Sequence, residues 1–208
     1  MSKQLFVQIP DSRIIWPPEH LPESSMVFAQ SLMVASMKGS VTGPAAREPF
    51  DKLMEKVPAA HGVSFEKAEV DGVPGRWCRL DNAPTDAAIL YFHGGAYVAG
   101  SALAYQHFVG QVAARAKVAA FVPEYGFAPE HPIPAAVNHA QAAYKGLVVQ
   151  GFERIALAGD SAGGGLALVL LSLEVAKALD DIGDFLGAQL VGEAKHKQDR
   201  FQSANMPA

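Results

Sequence analysis

The spacing of apolar residues changes character along the chain and predicts its elements in three stretches. In the first, Pro17, Pro18 and Pro22 keep residues 1–22 irregular. Met26, Val27, Ala29, Met33, Val34 and Met37 then recur at helical spacing, predicting a helix over 23–38, with a second short helix over 47–56. Strands are predicted over 63–70 and 73–80, flanking Asp71-Gly72, a dipeptide suited to a hairpin turn. Pro74 has no amide hydrogen, which weakens the second strand or confines it to an edge.

The second stretch is more regular: strand 87–92, helix 101–117, strand 118–122, helix 135–149, strand 154–158, then a helix from residue 162. Tyr105, Phe108, Val109, Val112 and Ala116 stripe the first of these helices, and Val137, Ala140, Tyr144, Leu147 and Val148 the second. Strand and helix in strict alternation imply an α/β fold, a mainly parallel sheet with helices on both faces, and functional loops at the carboxyl ends of the strands. In the third stretch the apolar run 162–173 is interrupted by Ser172 and stopped by Glu174. It falls short of the roughly 18 residues of a membrane span and reads as a buried helix. Beyond it Val175, Leu179, Ile182, Leu186 and Leu190 stand at steps of three and four, an amphipathic helix.

Composition narrows the function classes. The chain of 208 residues is 50% hydrophobic and 18% charged, which suits one well-buried domain and excludes intrinsic disorder. Its 21 acidic and 17 basic residues give a net charge of -4, and no cluster of Lys or Arg offers a nucleic-acid surface. Cys78 is the one cysteine and no Cys/His set has metal-ligand spacing, so neither a disulfide nor a structural metal is expected. The opening residues lack the apolar core of a signal peptide, and the expected location is cytoplasmic.

Chemistry enters at the end of the third strand of the alternating run, in Gly159-Asp160-Ser161-Ala162-Gly163. A serine on a sharp strand-to-helix turn has its hydroxyl lifted clear of the sheet, and flanking glycines remove Cβ atoms that would clash there. The pentapeptide alone fits an ordinary glycine-rich turn about as well. A phosphate loop is disfavoured because no Gly-Lys-Ser/Thr follows. At the end of the first strand of the run, His93-Gly94-Gly95-Ala96-Tyr97 adds a glycine pair in the adjoining loop. Acyl transfer needs backbone N–H donors facing the oxyanion of its tetrahedral intermediate. Gly94, Gly95 and Ala162 are the expected donors, and His93 is expected to be structural.

These two motifs, with Glu124-Tyr125-Gly126-Phe127-Ala128-Pro129-Glu130-His131-Pro132-Ile133-Pro134-Ala135-Ala136 between them, resemble the hormone-sensitive-lipase branch of the α/β-hydrolase esterases over about residues 20–172. The resemblance implies Ser161 as nucleophile, Gly94, Gly95 and Ala162 as oxyanion hole, short- to medium-chain carboxylic esters as substrates and no cofactor. Two departures stand out. Ala96 replaces a frequent third glycine, and Gly126-Phe127 stands where the family usually has Arg-Leu.

The resemblance breaks after the nucleophile. The fold orders its triad Ser, then Asp or Glu, then His. The tail holds the acids Glu174, Asp180, Asp181, Asp184, Glu193 and Asp199, one histidine, His196, and no strand-like run. The expectation is an internal deletion joined near 172–176 that removes the acid, the histidine and the last strands. His20, His61, His107, His131 and His139 carry no motif that would make one of them the base. The domain reading is a single domain with a helical cap segment over 1–56, a sheet core over 63–172 and a terminal helix over 174–193. An ester hydrolase stands against two alternatives: an impaired deletion form, or a non-catalytic protein that binds a hydrophobic ligand. Exposed apolar surface in such a fold favours a homo-oligomer.

Overall fold

The computed structural model describes residues 43–204, with side chains through Ile182. The helix expected over 23–38 lies outside the described residues. A 3-10 turn over Gly43–Ala46 leads into α1 (Arg47–Met54), β1 (Ser64–Val70), β2 (Val73–Arg79) and β3 (Ala87–Phe92). Then come α2 (Ala102–Ala116), β4 (Ala119–Pro123), α3 (Ala135–Val149), β5 (Arg154–Gly159) and α4 (Ala162–Ala204).

The five strands form one sheet in the order β1-β2-β4-β3-β5. β3 runs parallel to both β4 and β5, while β2 is antiparallel to β1 and to β4. The parallel, α/β character expected from the alternation is present, with an antiparallel hairpin added on one side. Every residue of β3 and of β4 is buried, as helices on both faces require. Leu90 and Phe92 join Ala140, Leu147, Leu166 and Leu170 of α3 and α4 in the main core. The alternate residue Tyr91 turns to the other face, where its ring meets Phe108 of α2 at 6.0 Å.

Two expectations need correction. β2 is an interior strand, not an edge. Pro74 is tolerated because it stands at the end of the ladder with β4, opposite Glu124: its carbonyl accepts from Glu124 N at 2.8 Å, and only the reciprocal bond is lost. Across 172–176, where the junction of the expected deletion falls, α4 is continuous, and Ser172 Oγ donates to the Leu168 carbonyl at 2.9 Å within the helix. The environment changes where the backbone does not. Leu166, Ala167 and Leu170 are buried, whereas Leu168, Leu171, Leu173, Leu179 and Ile182 are exposed, so the helix expected to be buried is buried along one face only. The 21 residues Ala162–Ile182, of mean hydropathy 1.6, are long and apolar enough to cross a membrane by length and composition, more than the uninterrupted apolar run suggests.

Candidate active site

Ser161 stands between the last residue of β5 and the first of α4, exposed, with φ +51°. A left-handed serine is uncommon and is held there by its neighbours. The turn is pressed onto the end of β3: a Cβ on Gly163 would collide with the carbonyls of Phe92 and His93, so only glycine allows the approach. On the facing loop, Gly95 (φ +128°), Ala96 (φ +55°) and Tyr97 (φ +61°) give three successive residues of positive φ. The loop is tightened by the amides of Val98 and Ala99, which donate to the Gly95 carbonyl at 3.0 and 2.9 Å.

Asp160 ties turn and loop together. Its Oδ1 accepts from Gly94 N at 2.9 Å and from Tyr91 Oη at 3.1 Å, and its Oδ2 from Tyr105 Oη at 3.1 Å. Burial raises this carboxyl above its ordinary value, and the three donors pull against that rise. Burial also raises the phenols of Tyr91 and Tyr105, with the Asp160 charge adding to it. Both therefore remain donors at neutral pH.

Gly94 is buried and its N–H donates to Asp160 Oδ1 at 2.9 Å. Gly95 is part-buried and Ala96 exposed, and among the described residues neither amide, nor that of Ala162, has an acceptor. Sequence reasoning missed Asp160, although it adjoins Ser161, and read Tyr105 as one residue of a packing stripe.

His93 is fully buried, stacked on Tyr125 with ring centroids 4.5 Å apart, and its Nδ1 lies 2.8 Å from the Gly94 carbonyl. A carbonyl only accepts, so Nδ1 carries the proton and Nε2 is left buried without a partner. Burial lowers its pKa to about 4, leaving the ring neutral. The phenol of Tyr125 donates to the His93 carbonyl at 2.5 Å, a second brace on the same residue.

Two other histidines are bonded to the backbone elsewhere. His107 Nδ1 lies 3.1 Å from the Val57 carbonyl, and His139 Nδ1 accepts from Gly126 N at 2.9 Å. His196 belongs to α4, roughly 50 Å along the helix axis from Ala162 at a rise of about 1.5 Å per residue. Among the described residues no three His, Cys, Asp or Glu side chains form a metal-binding group.

A family described as alpha/beta hydrolase fold matches residues 89–192, half of the chain, from β3 into α4. The chain belongs to the alpha/beta hydrolase fold family. It is 43% identical over 105 residues to an acetyl-hydrolase of Streptomyces hygroscopicus, covering 50% of this chain and 33% of that protein. To an esterase of Acinetobacter venetianus it is 30% identical over 149 residues, or 69% of this chain and 49% of the relative. A crystal structure of an esterase from the bacterial hormone-sensitive lipase family superposes with a TM-score of 0.65 at 32% identity, covering 78% of this chain and 54% of the other. This alpha/beta hydrolase chain thus spans at most about half the length of these curated relatives.

Proposed function

We propose that the protein is a carboxylic ester hydrolase in which Ser161 is the nucleophile. The observation that carries this reading is the exposed, left-handed Ser161 on a turn fastened by Asp160 to a loop whose Gly95 and Ala96 amides have no acceptor among the described residues. Ser161 Oγ adds to the ester carbonyl, and the oxyanion takes the amides of Gly95, Ala96 and Ala162. The alcohol then leaves, giving an acyl-serine that water hydrolyses. Ala96 thus takes the place expected of Gly94. The relatives' names, acetyl-hydrolase and esterase, support short acyl chains, and the chemistry requires no cofactor.

The test is hydrolysis of a short-chain aryl ester by the purified protein beside Ser161→Ala, at protein concentrations that reveal a weak rate. A rate that Ser161→Ala abolishes supports the proposal. Two equally inert proteins refute it.

A second reading is favoured by one observation: ring nitrogens of His93, His107 and His139 are bonded to backbone groups, and His196 lies far along α4. In that reading the protein binds an apolar ligand without turning it over. A serine hydrolase without its base keeps only roughly 10³- to 10⁴-fold over water. Ligand binding that is unchanged in Ser161→Ala, with no turnover in either protein, selects it.

A further inference from the structure

We infer that Arg47, supported by Asp51 on the next turn of α1, is a positioning residue that holds the 94–101 loop in the positive-φ shape in which the Gly95 and Ala96 amides have no acceptor among the described residues. The use made of those amides rests on the ester-hydrolase reading; the restraint itself does not.

The guanidinium reaches three separate groups. Arg47 Nε donates to the Val98 carbonyl at 2.8 Å, and Nη2 donates to the Ala128 carbonyl at 3.2 Å. Nη1 and Nη2 together grip the Glu130 carboxylate at 3.0 and 2.6 Å. Its plane also lies over Phe127, 5.7 Å from the ring centre. Val98 belongs to the loop after β3, and Ala128 and Glu130 to the loop after β4, so one side chain ties α1 to both loops, which the bond from Ala128 N to the Tyr97 carbonyl already joins to each other.

Asp51 holds the far end of the same loop. Its Oδ2 accepts from Ser101 Oγ at 2.9 Å, and that hydroxyl in turn accepts from Ala104 N at 3.1 Å as the N-cap of α2. From the other side, Glu124 Oε1 accepts from Ala102 N at 2.7 Å. The loop is therefore pinned at its start by Asp160, in its middle by Arg47 and at its end by Asp51.

Such pinning is needed because of the backbone. Ala96 and Tyr97 are non-glycine residues at positive φ, and sparsely populated conformations persist only where the surroundings over-determine them. The two amide bonds to the Gly95 carbonyl tighten the loop internally, and the Tyr97 carbonyl, which accepts from Ala128 N at 2.9 Å, holds it to the loop after β4 but not to α1. The ion pair with Glu130 is part-exposed, with side chains 32% and 49% accessible, and so contributes little by its charge alone. The planar fork that spans two carbonyls and a carboxylate is what lysine cannot reproduce.

The experiment is hydrogen–deuterium exchange on the full chain, comparing Arg47→Ala and Arg47→Lys with the parent, each also in the Ser161→Ala background. The amides of Val98 and Ala99 are the reporters. Loss of a restraining hydrogen bond should speed exchange across 94–101 by about tenfold in both variants, with β3 and β4 changed by less than about twofold. Unchanged exchange in the loop overturns the inference. So does a uniform rise across loop and sheet, which marks Arg47 as merely stabilising, or parental protection in Arg47→Lys, which leaves the fork no role. Exchange needs no turnover, so the result stands even if parent and Ser161→Ala prove equally inert. In a parent that hydrolyses the ester, Arg47→Ala lowers kcat with KM nearly unchanged; a change in KM alone overturns the inference.

Discussion

Lowering the pH from 7 to 4 should weaken this fold through His93, a residue that no solvent reaches. Burial holds the folded imidazole neutral down to about 4, against an ordinary value of 6.5. The unfolded chain takes up this proton as the pH falls past about 6.5, while the folded chain takes it up only near 4. The unfolded state therefore binds more protons throughout that interval, so stability is lost as the pH falls and levels off below it. At about 1.4 kcal/mol per pH unit, the loss between pH 7 and pH 4 integrates to about 3 kcal/mol. Buried carboxyls act with the opposite sign: burial raises Asp160 and Glu124, which protonate first in the folded state and add stability in acid. Comparison with His93→Asn separates the two effects, because its amide can still donate to the Gly94 carbonyl but does not titrate. Urea unfolding at a series of pH values should show the variant less stable at pH 7, having lost the stack on Tyr125. The gap to the parent should narrow by about 3 kcal/mol on reaching pH 4. Curves that remain parallel would refute the reasoning.

Asp160→Asn should cost about 2 kcal/mol in urea unfolding, because the amide keeps one acceptor oxygen and turns an NH₂ group either toward Tyr105 or toward Tyr91 and Gly94. Stability within about 0.5 kcal/mol of the parent would show that the three bonds do not matter to the fold. Ser161→Gly should be more stable than Ser161→Ala by about 1 kcal/mol in the same assay, since glycine adopts φ +51° without the penalty of a Cβ. Equal stabilities would mean that the turn stores no strain at this residue.

Much of the fold was legible because apolar periodicity and helix caps are local. The helix expected over 101–117 is α2 with Ser101 and Lys117 as its two caps. The strand expected over 154–158 is β5, one residue longer. Gly159-Asp160-Ser161-Ala162-Gly163 falls on the strand-to-helix turn expected for it. What escaped were directions and long-range partners. A glycine pair signals that backbone amides can face a ligand, but that the Gly94 amide is instead bonded to a carboxylate 66 residues away in sequence is a long-range fact. The interior place of β2 was hidden for a similar reason: Pro74 forbids one hydrogen bond, and only the register with β4 shows that the loss falls at the end of the ladder. Arg47 gave no sequence signal, because its three partners sit 51, 81 and 83 positions away.

Under the ester-hydrolase reading, the requirements for acyl transfer divide between two parts of the molecule. Stabilising the oxyanion calls on amides and on the bonds that aim them, and these are supplied within 47–165, where Asp160 fastens Gly94 and Arg47 fastens Val98. Activating Ser161 calls on a base, and the described histidine side chains with assigned bonds are already committed to backbone groups. The two can therefore fail separately. A protein lacking only its base keeps the Val98 and Ala99 amides protected and Gly94 bonded while turnover falls. A protein with a misplaced loop loses that protection first. Asp160 connects the two parts: it is covalently next to the nucleophile and hydrogen-bonded to the loop, so a shift in either is felt by the other. The strained serine and the strained loop are best understood as one structure held by that carboxylate, formed before any proton is transferred.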